Sequence, residues 1–292
     1  MNNKTLTGIL CGLGAASIWG GMYVVSKVVL EIIPPFTLVS LRLLLGILTL
    51  AIILAMRGFP KFTQRQFLQV VGVGFVGYGI SLSLQFLGTK LSTAANGSLV
   101  TSATPAFVLL FAWMLLSEKI TLRRLVALLL ATCGVVAVID PRSAQLNPEL
   151  FLGNLLLLGA AITWALYSVL VRKMTQSLDV LPFSLIAFVG GLPVVLPAGA
   201  WELSTAGVGE ISLGVVGGVL FLGVISTALA MILWNTAFAI LDAGTASLTF
   251  FAQPVVGIFL GWLFLGERIT LLFILGGLLI SLGLVLSSTE KS

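Results

Sequence analysis

Along this chain, apolar runs long enough to form helices of about 20 residues alternate with short polar stretches, and that rhythm dominates every other pattern. Stretches 67–89 and 152–171 contain no charged residue at all. A helix on the surface of a soluble domain carries a polar face, and these segments have none, so lipid is the solvent they are written for. Reading apolar runs against turn and charge punctuation predicts ten helical spans, at 6–29, 36–56, 66–87, 93–116, 122–139, 151–172, 180–200, 212–238, 243–264 and 270–288. Helix-start chemistry agrees with several boundaries. Thr63 with Gln66 fits a capping box, Asn147 before Pro148 fits an N-cap followed by a first-turn proline, and Asp242 stands where it can cap the ninth span. Strands are excluded by length, because a membrane barrel strand needs only about ten alternating residues.

The pattern also repeats. Ala94, Leu99, Pro105, Trp113, Leu116, Glu118, Ile120, Thr121 and Leu122 return at one constant offset as Ala243, Leu248, Pro254, Trp262, Leu265, Glu267, Ile269, Thr270 and Leu271. Gly14, Ala15, Ala16 and Trp19 recur as Gly159, Ala160, Ala161 and Trp164, Pro35-Phe36 as Pro182-Phe183, and Gly134 as Gly283. This is an internal duplication into halves at 1–144 and 145–292, each with five spans. An odd number of spans per half means that the second half enters the membrane upside down relative to the first.

Composition narrows the class further. Of 292 residues, 59% are hydrophobic and 9% charged, too little polar surface for a water-soluble domain of this size. The net charge of +5 is no nucleic-acid footprint, because the cations sit in loops between spans. With the N-terminus taken as cytoplasmic, that side collects Lys4, Arg57, Lys61, Arg65, Lys119, Arg123, Arg124, Arg172, Lys173 and Lys291, against Lys27, Lys90, Arg142 and Arg268 opposite. The positive-inside rule then places both termini in the cytoplasm of a multi-pass cell-membrane protein. The first span lacks a cleavage site and reads as a retained helix. Cys11 and Cys133 fall inside spans, where each reads as a small buried hydrophobe outside any disulfide.

Two halves, each with a Trp-bearing first helix, a Pro-Phe entry to the second and a mid-helix Pro followed by Leu-x-Glu-[Lys/Arg]-Ile-Thr, resemble the EamA-type members of the drug/metabolite transporter superfamily. The N-terminal pattern from Gly12 through Ala15 to Trp19-Gly20, with Asn96-Gly97-Ser98, is similar to the YddG-type aromatic amino-acid exporters within it. The resemblance implies an all-α membrane protein of ten transmembrane helices in two inverted five-helix repeats, working as a secondary transporter by alternating access to a central cavity.

Candidate chemistry is sparse, which is itself informative. The chain has no His, and its ten Asp and Glu residues all fall in loops or at span ends. A membrane enzyme would need a nucleophile with its base, or metal ligands, and a channel a filter or rings of charge. Neither pattern is present, and no cofactor is expected. What the spans do hold is aromatic rings and neutral amides. Trp19, Tyr78, Gln85, Asn96, Trp164, Trp234 and Gln253 are the expected cavity residues, with Tyr78, Trp164 and Trp234 as walls and Asn96 and Gln253 as polar contacts. Tyr167 and Asn235 are further polar positions within spans, and Tyr78, Ser81 and Gln85 share one helical face. Pro105 and Pro254, near mid-span, are expected to kink their helices and act as hinges. Arg42, about two turns inside the second span and aligned with Val189, must either snorkel outward or meet carbonyls or an anion. Glu118 and Glu267 read as structural helix-end residues. The expected partners are the lipid bilayer and a small amphipathic solute, an amino acid before a purine or cationic drug. The oligomeric state is open and compatible with a monomer.

Overall fold

The computed structural model describes residues 3–59, 62–92, 97, 100–139, 148–265 and 271–288. Of the positions singled out above, Lys61, Ala94, Asn96, Ser98, Leu99, Arg142, Asn147, Glu267, Arg268, Ile269, Thr270 and Lys291 lie outside the described residues, as does the expected junction at 144/145. The described residues are helical and contain no strand. In chain order the helices are α1 (Asn3–Leu30), α2 (Pro35–Arg57), α3 (Gln64–Lys90), α4 (Thr104–Leu116) and α5 (Leu122–Ile139). There follow α6 (Phe151–Met174), α7 (Val180–Thr205), α8 (Leu213–Ile240), α9 (243–265) and α10 (Leu271–Ser288). Six are long and apolar enough to cross a membrane by length and composition: α1 over Asn3–Met22, α2, α3, α6, α7 and α8. Large apolar side chains such as Leu10, Leu48, Met56, Trp113 and Leu213 point outward, as a lipid-facing surface requires. Cys133 is among the outward-facing residues rather than buried, since a small apolar thiol is as well solvated by lipid as by a core.

Local chemistry sets the ends. At α3 the Thr63 hydroxyl accepts from the Gln66 N–H at 3.2 Å while Gln66 Oε1 accepts from the Thr63 N–H at 3.0 Å, the capping box read from the sequence. Asp242 Oδ1 accepts from the Thr245 N–H at 2.9 Å and starts α9. α2 opens with Pro35 in its first turn and ends at Gly58, whose φ of 88° suits a residue without Cβ.

The two prolines act differently from the expected kink within a continuous helix. The helix halts in a turn at 102–103 and restarts at Thr104 with Pro105 in its first turn. In α9, Ala243–Leu248 passes into a 3₁₀ turn at Thr249–Phe251, and α-helix resumes at Ala252 with Pro254 again in the first turn. In a first turn the missing N–H costs nothing and the ring meets no preceding carbonyl, so the break moves just upstream of the proline. α3 and α8 carry a second irregularity, a π-helical stretch at Phe75–Ser81 and at Phe221–Leu229. Within the latter, the Thr227 hydroxyl donates to the Leu222 carbonyl five residues back at 2.7 Å, filling an acceptor the widened turn exposes.

Packing between the halves is reciprocal. α2 lies antiparallel on α7: Thr37 Oγ1 donates to the Gly199 carbonyl at 3.1 Å, Ser40 Oγ to the Val195 carbonyl at 2.8 Å, and Gly46 faces the Phe188 ring. α5 lies antiparallel on α10. A Cβ placed on Gly134 would come 2.6 Å from the Gly276 carbonyl oxygen and 2.8 Å from Ile280. One placed on Gly283 would come 2.6 Å from the Ala127 carbonyl oxygen and 3.2 Å from Ala131. The two contacts exchange under the offset that carries Ala94 to Ala243. α1 packs on α8 and α9, and α6 on α3 and α4, which extends the exchange to the remaining helices.

Candidate substrate cavity

Where α1, α2, α3, α6, α8 and α9 converge they enclose a cavity. Trp19 and Met22 of α1 face Ala160, Ala161 and Trp164 of α6, and Arg42 of α2 faces Ser81, Leu82 and Gln85 of α3. Thr101 and Thr104 come from the break before α4, and Met231, Phe250 and Gln253 from α8 and the break in α9. The two interrupted helices therefore bring their irregular segments to one place, as lining a cavity permits. The cavity contains about 440 Å³ of empty space out to its mouth, yet the centre of a water molecule can move through only about 30 Å³ of it. It is narrow, and a solute larger than a few waters requires its walls to part.

The apolar side is an aromatic cluster. Trp19 and Trp164, equivalent in the two halves, meet edge to face with ring centroids 5.7 Å apart at 80°, and Trp19 lies 6.2 Å from Phe250. Trp19 is fixed by donating its indole N–H to the Ser226 carbonyl at 3.0 Å. Trp164 stacks on Tyr167 at 4.8 Å and 29°. Its own N–H, on a residue 8% exposed, has no hydrogen-bond partner among the described residues. The Thr104 hydroxyl, on a residue 1% exposed, is in the same position.

Of the residues expected to form the site, Trp19, Gln85, Trp164 and Gln253 line the cavity together. Tyr78 and Trp234 are fully buried one layer behind it, with ring centroids 6.3 and 6.5 Å from that of Trp164. Their polar atoms are spoken for. Tyr78 and Tyr167 share a hydrogen bond between hydroxyls, Tyr167 donates to Asn235 Oδ1 at 2.9 Å, and Asn235 donates to Ser184 Oγ at 2.9 Å. The Trp234 indole donates to Ser168 Oγ at 3.1 Å. This layer seals the cavity toward the end where α1 begins: Trp19 and Met22 lie further along α1, and Ser81 and Gln85 further along α3, than the sealed region. Asn96 is outside the described residues.

Arg42 does not snorkel. It is 0% exposed, with Nε donating to Thr227 Oγ1 at 3.0 Å, Nη2 donating to Ser226 Oγ at 3.3 Å and the guanidinium 5.0 Å from the Phe86 ring centroid. Both hydroxyls belong to the π stretch of α8. At the end where α1 begins, Arg124 bridges Glu118 at 3.3 Å and Asp242 at 3.0 Å, while Glu118 Oε1 accepts from the Ala243 N–H at 3.0 Å. Glu118 thus caps a helix of the other half, a structural role at a helix end. Sequence reasoning missed Met22, Thr101, Thr104, Met231 and Phe250; for the two threonines the available signal was their closeness to Pro105.

Comparison with known proteins decides the kind of molecule. The model of the EamA-like transporter family matches twice, over residues 6–139 and 151–289. The chain belongs to the EamA-like transporter family. Among its EamA relatives, the uncharacterized transporter YetK of Bacillus subtilis is 27% identical over 94% of this chain and 84% of its own length. The uncharacterized transporter YoaV of the same organism is 25% identical over 98% and 97%. A solved crystal structure superposes with a TM-score of 0.77 at 20% identity, covering 96% of each chain, which shows a shared fold. The chain is a multi-pass membrane transporter of EamA type, and its family consists of transporters rather than enzymes.

Proposed function

We propose that the protein is a secondary transporter that exports small amphipathic metabolites of the amino-acid kind. It works by alternating access of two inverted five-helix halves about the cavity between them, as in the YddG-type exporters it resembles. It sits in the cell membrane with ten spans and both termini in the cytoplasm. The observation that carries this reading is the meeting of Trp19 and Trp164: equivalent residues of the two halves touch on the wall of one narrow cavity built from both. A site at such a seam changes sides when the halves rock, with no need for the solute to pass a continuous pore. Apolar walls with a few orienting polar groups suit a solute with a hydrocarbon body and one polar end. The buried layer of Tyr78, Tyr167, Trp234 and Asn235 closes the cytoplasmic end of this state. The breaks before Pro105 and Pro254 supply the places where the helices bend.

The test is counterflow in vesicles containing the purified protein, with a panel of amino acids, purines, sugars and cationic drugs. The expected result is saturable exchange of hydrophobic amino acids or close analogues, reduced at least tenfold by Trp164→Ala. Exchange confined to purines or cationic drugs would replace the substrate part of the proposal, and no exchange with any compound would remove the whole of it.

A further inference from the structure

Three tryptophans stand on the cavity wall or just behind it, and their indole N–H groups are treated differently. Trp19 gives its N–H to the Ser226 carbonyl at 3.0 Å, and Trp234 gives its own to Ser168 Oγ at 3.1 Å. Trp164, the equivalent of Trp19 in the other half, lines the cavity at 8% exposure, and its N–H has no hydrogen-bond partner among the described residues. The duplication makes this an internal comparison: one position of the repeat is satisfied by main chain in the first half and left open in the second. The Thr104 hydroxyl, 1% exposed on the same wall and carried by the first half, is open as well. Buried polar groups in native proteins are almost always satisfied, so a donor left open on a cavity wall is met by what the cavity holds.

The Trp164 ring is also held still. It stacks on Tyr167 at 4.8 Å and meets Trp19 edge to face at 5.7 Å, while the Tyr167 hydroxyl is itself tied to Tyr78 and Asn235. A donor fixed in this way needs no reordering when an acceptor arrives. An indole N–H can only donate, and it carries no charge. It therefore selects for an acceptor atom, neutral or anionic alike, and offers nothing to an ammonium group. Water can serve it in the narrow space of about 30 Å³, but a solute that fills the cavity expels that water, and one without an acceptor leaves the donor buried and unmet. We infer that the feature read in the solute is an oxygen acceptor, as in a carbonyl or carboxylate group, bound by Trp164 Nε1–H with the apolar body against Trp19 and Phe250. This rests on the transporter reading of the same cavity and narrows its substrate class.

The experiment is binding to the purified protein in lipid nanodiscs, with the tryptophans labelled with nitrogen-15 at the indole. The probes are 3-methylbutylbenzene, 4-phenyl-2-butanone, in which an oxygen replaces one methyl group, 3-phenylpropionate and phenylalanine. Each of the six tryptophans gives one indole N–H resonance. That of Trp164 is the one missing in Trp164→Phe, or the one left when phenylalanine variants have assigned the other five. The ketone, the acid or both should move the Trp164 indole proton downfield, while the hydrocarbon does not; which of the two does so tells a carbonyl from a carboxylate. The affinity of the tighter oxygen compound relative to the hydrocarbon, a ratio in which partition into lipid cancels between proteins, should fall about fivefold or more in Trp164→Phe. A smaller fall, a downfield move produced equally by the hydrocarbon, or none at Trp164 with any oxygen compound would overturn the inference and leave the transporter standing. Failure of all four probes to bind would overturn it too, and the transporter reading goes with it only if no compound of the wider panel is exchanged. The wild-type spectrum decides even if Trp164→Phe does not fold.

Discussion

The seven positions expected at the site differ in one respect visible at the scale of a single side chain: whether the polar atom already has a partner. Trp234 gives its N–H to Ser168 and belongs to the sealed layer, whereas Trp164 keeps its N–H on the cavity wall without a partner among the described residues. Phenylalanine substitution should separate the two roles. Trp234→Phe loses one buried hydrogen bond, while Ser168 Oγ keeps its donation to the Trp164 carbonyl, so a stability loss of about 1 kcal/mol with unchanged solute affinity is expected. Trp164→Phe gives up no hydrogen bond in the protein and should raise the apparent KM several-fold with little change in Tm. Thermal unfolding and vesicle flux on both variants check this, and the reverse assignment would place the solute in the layer behind. The residue types were legible in the sequence because Trp and neutral amides are conspicuous within charge-free helices. Which layer each joined was not, since a tyrosine hydroxyl or indole N–H satisfied by Asn235 or Ser168 looks the same in sequence as one left for a ligand. Thr104 was hidden because most threonines in a helix turn back to their own carbonyls, as Thr101, Thr163 and Thr175 do here.

At the scale of the helix, the recurrence of Gly134 as Gly283 acquires a cause. Each stands where the opposite helix brings a backbone carbonyl within 2.6 Å of any added Cβ, and a backbone carbonyl cannot rotate away. Gly283→Ala and Gly134→Ala should each cost about 1–3 kcal/mol by overpacking, seen as a lower Tm or lost expression. Gly277→Ala, on the same α10 but facing open space, should be neutral or slightly stabilising. Equal effects at 277 and 283 would show that the α5–α10 contact does not form as described. The apolar helices, the capping box and the Asp242 cap were readable because each has a local sequence cause. The π stretches of α3 and α8 were not, because widening one turn by a residue barely disturbs the apolar period of a helix that is apolar all round.

For the molecule as a whole, the reciprocal contacts of α2 with α7 and α5 with α10 give the duplication a geometric meaning, and topology follows from it. Single cysteines introduced at 119 and 268 should lie on opposite sides of the membrane, with an impermeant maleimide outside the cell reaching 268 and sparing 119. Labelling of both from one side would end the inverted arrangement. The duplication itself was legible because nine positions recur at one offset, while the pairing of helices across the halves was not, because contacts between distant segments leave no periodic trace. Coupling is a second property at this scale. Proton relays in membranes use buried Asp, Glu or His, and here Glu118 is engaged at a helix end with Arg124 and the Ala243 N–H rather than in the cavity. A pH gradient imposed at clamped voltage, without a solute gradient, should therefore drive no uphill accumulation. Robust accumulation abolished by Glu118→Gln or Glu267→Gln would assign coupling to those residues.

The sealed layer beside the cavity has a corollary for leak. Its hydroxyl, amide and indole groups are bonded to one another or to Ser168 and Ser184, and the centre of a water molecule moves through only about 30 Å³ of the cavity in front of them. A hydrated ion pressing through would have to break those bonds and shed its own water at the same step. A transporter closed in this way holds back the gradients of small ions while it waits for its solute, and the same bonds set how much interaction a solute must supply to open it.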